Sequence, residues 1–186
     1  MVRKSFVVAM VFILAGLAGT VARADDKHGL YIGAGAGYGS QEFDISTESF
    51  KDNTTAWKGF VGYRFMRFIG FEAAYVDFGK ASDQLNFGGG NQSVDVKTHG
   101  ETAEIVGTLP LGDFFEIYGK AGYLWWNTDV NGVSNSNSDS GNDPVYGAGA
   151  AIIIAKKFGI RLEYEKFDIK DTKSVYLTTA GVEWRF

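Results

Sequence analysis

The residues of this chain whose types could do chemistry are few and far apart. Two histidines and no cysteine leave neither a histidine–cysteine metal cluster nor a thiol nucleophile to build. Serine hydrolysis needs a base at the nucleophile, normally a histidine oriented by a carboxylate. His28 precedes the first patterned segment, whereas His99 has Ser93, Asp95 and Glu101 as near neighbours. That group is the one candidate for a catalytic dyad, and a solvated histidine at a loop base explains it more simply. The Asp and Asn residues of 128–143 offer oxygen ligands to a hard cation, but their spacing lacks the EF-hand pattern. Gly33-Ala34-Gly35-Ala36-Gly37 is similar to a dinucleotide fingerprint, yet no helical pattern follows it. Glu163 and Glu165 stand roughly 7 Å apart along one strand face, which general acid–base work would accept. Ion pairing with Arg161 and other cations is the simpler reading. No catalytic, cofactor or metal site is expected, and the chain is read as a non-enzyme.

The elements that would position these residues show a period of two. Leu30, Ile32, Ala34, Ala36 and Tyr38 alternate with Tyr31, Gly33, Gly35, Gly37 and Gly39. Phe158, Ile160, Leu162 and Tyr164 alternate with Gly159, Arg161, Glu163 and Glu165. Tyr176, Thr178, Ala180, Val182, Trp184 and Phe186 alternate with Leu177, Thr179, Gly181, Glu183 and Arg185. Each is a ribbon with one largely apolar face and one face rich in charge or glycine.

The start of the chain is different. Arg3 and Lys4 precede an apolar or small-residue run from Ser5 to Gly19, and Ala22-Arg23-Ala24 supplies a small-x-small cleavage pattern. At ~1.5 Å per residue that run spans roughly 22 Å as a helix, short of the ~30 Å hydrocarbon core. Residues 1–24 are therefore expected to be a removed signal peptide, leaving 25–186 as one domain. Removing Arg3, Lys4 and Arg23 leaves 15 basic residues against 22 acidic, a net charge of −7. Such acidity argues against a nucleic-acid partner. The absence of cysteine means the exported fold holds without disulfides. No later stretch reaches 18 apolar residues, so no membrane-spanning helix is expected.

Continuing the alternation yields eight segments, at about 29–39, 54–65, 68–79, 96–109, 114–127, 144–155, 158–168 and 174–186. Most exceed the usual five or six residues of soluble strands and suit a strand tilted across a bilayer, which needs roughly 9 to 11. The sixth is the least clean, because Ile152-Ile153-Ile154 runs through both faces. Connections after the second, fourth and sixth are tiny: Met66-Arg67, Pro110 to Asp113, and Lys156-Lys157. Those after the first, third and fifth, at 40–53, 80–95 and 128–143, are long and polar, and the one after the seventh is short and charged. Short turns at one end and long loops at the other mark a transmembrane barrel, with turns periplasmic and loops outside. The fold class is therefore all-β: an eight-stranded antiparallel up-and-down transmembrane β-barrel, with both termini in the periplasm.

An eight-stranded barrel encloses room for side chains or one small ligand. Packing all the apolar faces inward would overfill it, so they face lipid. Tyr38, Trp57, Tyr75, Tyr123 and Trp125 then ring the loop end, and Phe68, Phe115, Phe158, Trp184 and Phe186 the turn end. Glycines and ions line the tube: Lys58, Arg64, Lys120, Arg161 and Arg185 with Glu72, Glu104, Glu116, Glu163, Glu165 and Glu183. The near-balance of charge points to an internal ion-pair network filling the lumen.

The stretch Phe60-Val61-Gly62-Tyr63-Arg64-Phe65, then Ile69-Gly70-Phe71-Glu72-Ala73-Ala74-Tyr75 and Gly79, resembles the transmembrane domain of the OmpA family. So do Asp113 with Ile117-Tyr118 and Lys120, Pro144-Val145-Tyr146, Arg161-Leu162-Glu163-Tyr164, and Gly181-Val182-Glu183-Trp184-Arg185-Phe186. The resemblance covers nearly all of 29–186. It implies that Phe186, with Trp184 and Val182, forms the signal read by the barrel-assembly machinery. It also implies that Glu72 and Arg161 occupy the positions of a lumen gate that blocks conduction. A second Lys–Glu pair of the family is replaced by Val106 and Ala151, which removes the alternative partners used in gate opening. With the sequence stopping at Phe186, the family's peptidoglycan-binding domain and its cell-wall tethering are not carried over. The expected function is an integral protein of the cell outer membrane that supports membrane integrity, with little or no pore activity. Its expected partners are outer-membrane lipid and lipopolysaccharide, the assembly machinery, and an extracellular ligand at the loops. An adhesin-like interaction protein, a small gated pore, a rim lipid-modifying enzyme at His99 and, last, a soluble binding barrel are the alternatives.

Overall fold

The computed structural model describes residues 29–45, 48–86, 91–131, 137–168 and 175–186; the side chains of 40–53, 80–97 and 129–139 lie outside that description. The expected signal peptide at 1–24, His28, and the side chains of Ser93 and Asp95 all lie outside it too. Eight strands form: β1 (Gly29–Ile45), β2 (Glu48–Met66), β3 (Ile69–Asn86), β4 (Asn91–Pro110), β5 (Phe115–Asn131), β6 (Asn137–Ile154), β7 (Phe158–Phe167) and β8 (Val175–Arg185). Each pairs antiparallel with its chain neighbour, and β1 pairs with β8 to close the barrel. Below the loop-side rim, closure leaves no sheet edge, which is what strands need in a solvent that cannot hydrogen-bond their backbone.

The short turns fall where the sequence places them, between β2 and β3, β4 and β5, and β6 and β7. In the last, Ala155 and Lys156 take positive φ values of 51° and 65°, and the Lys157 N–H donates to the Ile154 carbonyl at 3.3 Å. Two consecutive left-handed residues are what a type I′ turn requires, and residues 155–157 lie between the paired Ile154 and Phe158.

The long connections differ from expectation. The β1–β2 ladder runs on to Ile45 opposite Glu48, β3–β4 to Asn86 opposite Asn91, and β5–β6 to Val130 opposite Asn137. Most of each polar segment read as loop is therefore strand. Loss of apolar alternation marks where a strand leaves hydrocarbon; it does not stop backbone N–H and C=O groups from continuing to pair. Only β7–β8 ends early, at Phe167 opposite Val175. Three hairpins thus stand above a rim that is low on the β7–β8 side. The β3 hairpin departs through an irregularity between Asp77 and Lys80, where Gly79 has φ +81° and donates its N–H to the Asp77 carboxylate at 2.8 Å. A left-handed glycine is what such a bulge requires.

Outward positions carry the aromatic and aliphatic ribbons. Tyr38, Trp57, Tyr75, Tyr123, Trp125, Phe68, Trp184 and Phe186 are exposed, as are Leu162, Ile105 and Ile160. Phe68 stands in the β2–β3 turn, and Phe115 and Phe158 are half-buried. Through the ambiguous run of β6, Ile152 and Ile154 face out and Ile153 faces in.

Candidate functional site

The inner face of the barrel collects the ionic side chains expected there. Lys58 of β2 points its ammonium between two carboxylates of β7, 2.6 Å from Glu163 and 2.9 Å from Glu165. Lys120 of β5 lies 2.7 Å from Glu165, 3.0 Å from Glu72, 3.3 Å from Glu163 and 3.4 Å from Glu104. Arg161 of β7 donates to Glu72 at 2.8 Å and to Glu183 at 3.2 Å, and also pairs with Glu163. Nearer the turns, Arg64 and Arg185 each form a two-pronged contact with Glu116, at 3.0 Å and at 2.7–3.1 Å respectively. Arg185 also reaches Glu183 at 2.6 Å, so Glu183 joins the two groups. Burying ions costs several kcal/mol each unless partners surround them. Here most of them have several.

The expected gate pair, Glu72 and Arg161, is thus in contact, but Glu72 is shared. Its Oε1 takes Lys120, while the Tyr31 hydroxyl donates at 3.1 Å to Oε2, the oxygen that Arg161 also holds. Arg161 is enclosed as well, its guanidinium 4.4 Å from the Phe60 ring centre and 4.6 Å from that of Tyr118, whose hydroxyl accepts from its Nε at 3.0 Å. Stacked rings hold a guanidinium by cation–π attraction while leaving its edge free for carboxylates. Val106 and Ala151, the positions of the replaced pair, lie in one buried cluster with Tyr118 and Ile153. Glu163 and Glu165, considered for acid–base chemistry, are enclosed among cations with 3% and 1% of their surface exposed, leaving no room for a substrate.

Glycine makes space for these inner rings. A Cβ on Gly62 would lie 2.1 Å from the ring of Tyr31, and one on Gly149 2.4 Å from the Tyr118 hydroxyl. The glycine-rich faces are therefore sockets for inward aromatics.

One part of the lumen departs from expectation. It is lined not by glycines and ions alone but also by an apolar layer on the loop side of Lys58 and Glu165. Ala56, Val76, Phe78, Leu124, Val145, Phe167, Val175 and Leu177 form one buried cluster contributed by six strands. Phe78 and Phe167 meet edge to face with ring centres 5.1 Å apart, and Trp126 packs against the cluster while donating its Nε1–H to Asp143 at 2.7 Å. The signal for this layer was parity: Phe78 shares the face of Glu72, and Phe167 that of Glu165. Overfilling applies to all the rings together, not to the few that fall on the ionic parity.

His99 lies on the outer wall, its ring stacked on that of Tyr75 with centres 6.1 Å apart. At the turn end, Val182, Trp184 and Phe186 form an exposed outward row, and the Phe186 N–H donates to the Leu30 carbonyl at 3.0 Å.

Residues 6–186 match the family model described as the outer membrane protein beta-barrel domain. The chain is 28% identical over 200 residues to outer membrane protein A of Escherichia fergusonii, and equally to that of Shigella dysenteriae, covering 98% of this chain and 56% of each relative. It therefore spans about half the length of the curated relatives it matches. Among solved structures, Neisserial surface protein A (NspA) superposes with a TM-score of 0.64 at 15% identity, covering 84% of this chain and 97% of that one. Ail, the attachment invasion locus protein of Yersinia pestis, solved with the heparin analogue sucrose octasulfate, gives 0.60 at 19%, covering 85% and 99%. At those identities the likeness is one of fold. With a closed eight-stranded wall, apolar outside and ionic within, this chain belongs to the OmpA-like family of β-barrel proteins of the bacterial outer membrane.

Proposed function

We propose that this barrel serves the outer membrane as a structural, non-enzymatic component with little or no pore activity. The observation that carries this is a lumen closed by two different layers in series. The ion-pair network of Lys58, Lys120 and Arg161 spans the tube, and the Phe78–Phe167 apolar layer lies above it. An ion would have to displace charges already neutralised by their partners and then cross an apolar constriction, two barriers of opposite character. In this reading Glu72 and Arg161 act as a fixed strut rather than a moving gate, because Glu72 is also held by Lys120. The partners are lipid and lipopolysaccharide on the girdled wall, and assembly machinery reading Val182, Trp184 and Phe186. Planar-bilayer recording of the refolded barrel tests the proposal: a silent bilayer is expected, and a stable, large conductance would contradict it.

One observation favours a second reading, adhesin-like binding outside the cell. The β1–β2, β3–β4 and β5–β6 ladders continue through the polar segments instead of ending at the rim. Paired strands hold the backbone of these segments in register, as a binding surface requires, and Ail shares the fold. Deleting the hairpin tips should then abolish binding to host cells, matrix or complement, and unchanged binding would remove this reading.

A further inference from the structure

We propose that the closed lumen binds one proton, carried by Glu104 on Oε1, so that this carboxyl is a neutral acid at neutral pH. Among the described residues, five cations (Lys58, Arg64, Lys120, Arg161 and Arg185) share the ionic part of the lumen with six glutamates. Five of those glutamates each have a cation at 3.0 Å or closer. Glu104 does not.

Its surroundings explain why it is the one left over. Glu104 is 2% exposed, and its Oε1 is the buried side-chain polar atom that lacks a hydrogen-bond partner among the described residues. The other oxygen accepts from the Thr102 hydroxyl at 3.2 Å and from Lys120 at 3.4 Å, the longest of the four contacts Lys120 makes. On one side in the sheet, Glu104 stands directly opposite Glu72 of β3; on the other, opposite Gly122 of β5, which has no side chain to donate. From the rest of the lumen come Lys58, already held by Glu163 and Glu165, and Arg161, held by Glu72, Glu163 and Glu183. Tyr31 of β1 is committed to Glu72, and Tyr118 of β5 to Glu163. Like charges directly opposite across a strand pair destabilise it. A buried carboxylate without enough partners neutralises itself instead of staying charged. The step forms an O–H bond on Oε1 with a proton from the aqueous phase and breaks no bond in the protein. It leaves five carboxylates against five cations.

Infrared spectroscopy of the barrel refolded in lipid vesicles at neutral pH reads this directly, through the carbonyl stretch of a neutral carboxylic acid. The wild type should show that band, and Glu104→Gln should lose it while unfolding in urea at the wild-type midpoint or higher, since an amide replaces a neutral acid of the same shape. The native state would then hold a proton that an unfolded glutamate has released at neutral pH, so stability should fall as pH rises from neutral. That fall should be smaller in Glu104→Gln. A wild type without the band, a band that survives Glu104→Gln, or a Glu104→Gln barrel that no longer folds would each overturn the proposal. So would stability that tracks sodium concentration without the acid band, which would make the counter-charge a metal cation.

Discussion

Lys58 on β2 and Glu165 on β7 meet across the barrel, with the ammonium 3.0 and 2.9 Å from the two carboxylate oxygens. Their strands share no ladder, and 107 positions separate them in sequence, so the contact ties opposite walls together. Lys58 has no exposed surface at all. Its replacement by methionine keeps the stem and removes the charge, leaving Glu163 and Glu165 short of a cation. We expect Lys58→Met to cost roughly 3–5 kcal/mol, read from urea titration of the vesicle-refolded barrel. An unchanged midpoint would mean that water reaches the pair.

Glu72 is the acceptor shared by Arg161, Lys120 and Tyr31. Glu72→Ala takes one carboxylate from both Arg161 and Lys120 and leaves the buried Tyr31 hydroxyl without its acceptor, so a loss of about 3–5 kcal/mol is expected by the same titration. Combining it with Arg161→Met should cost less than the sum of the two single changes, because the pair acts as a unit.

Gly62 faces the ring of Tyr31. Gly62→Ala places a methyl where the ring stands, and overpacking of this kind typically costs 1–3 kcal/mol. Shortening the neighbour with Tyr31→Leu should recover part of that loss in a thermal melt of the double variant, although the Glu72 contact goes with it.

Leu162 is 60% exposed on the outer wall, with Ala150 and Ala180 opposite it on the flanking strands. In the hydrocarbon mid-region Leu162→Arg should destabilise the barrel by about 2–4 kcal/mol. Equal stability of the two forms would show that this face does not meet lipid.

Phe167 is fully buried in the apolar layer, against Phe78. Phe167→Ala should cost about 3–5 kcal/mol yet leave the bilayer silent, because the ion pairs below it remain. A conductance from this single change would show that the apolar layer alone closes the tube.

Much of this architecture is legible in the order of residues. Alternation in Phe158–Glu165 and Tyr176–Phe186 assigns each side chain to wall or lumen, because successive strand residues point to opposite faces. Turn pairs such as Lys156-Lys157 announce the reversals. Parity also puts Phe78, Phe167 and Leu124 inside, although the weight of aromatics on the other face hid them. The polar hairpins escaped for a different reason: hydropathy reports the solvent beside a strand, while ladder pairing depends on the backbone.

The sequence by itself determined which residues face inward, because that choice depends only on a strand's local geometry. Which inward residues touch was decided by the tertiary structure alone. Strand tilt and the stagger of the closed sheet set each residue's height in the tube. Only that height brings Lys58 to Glu165, places Lys120 among four carboxylates, and leaves Glu104 facing Glu72 on one side and a glycine on the other.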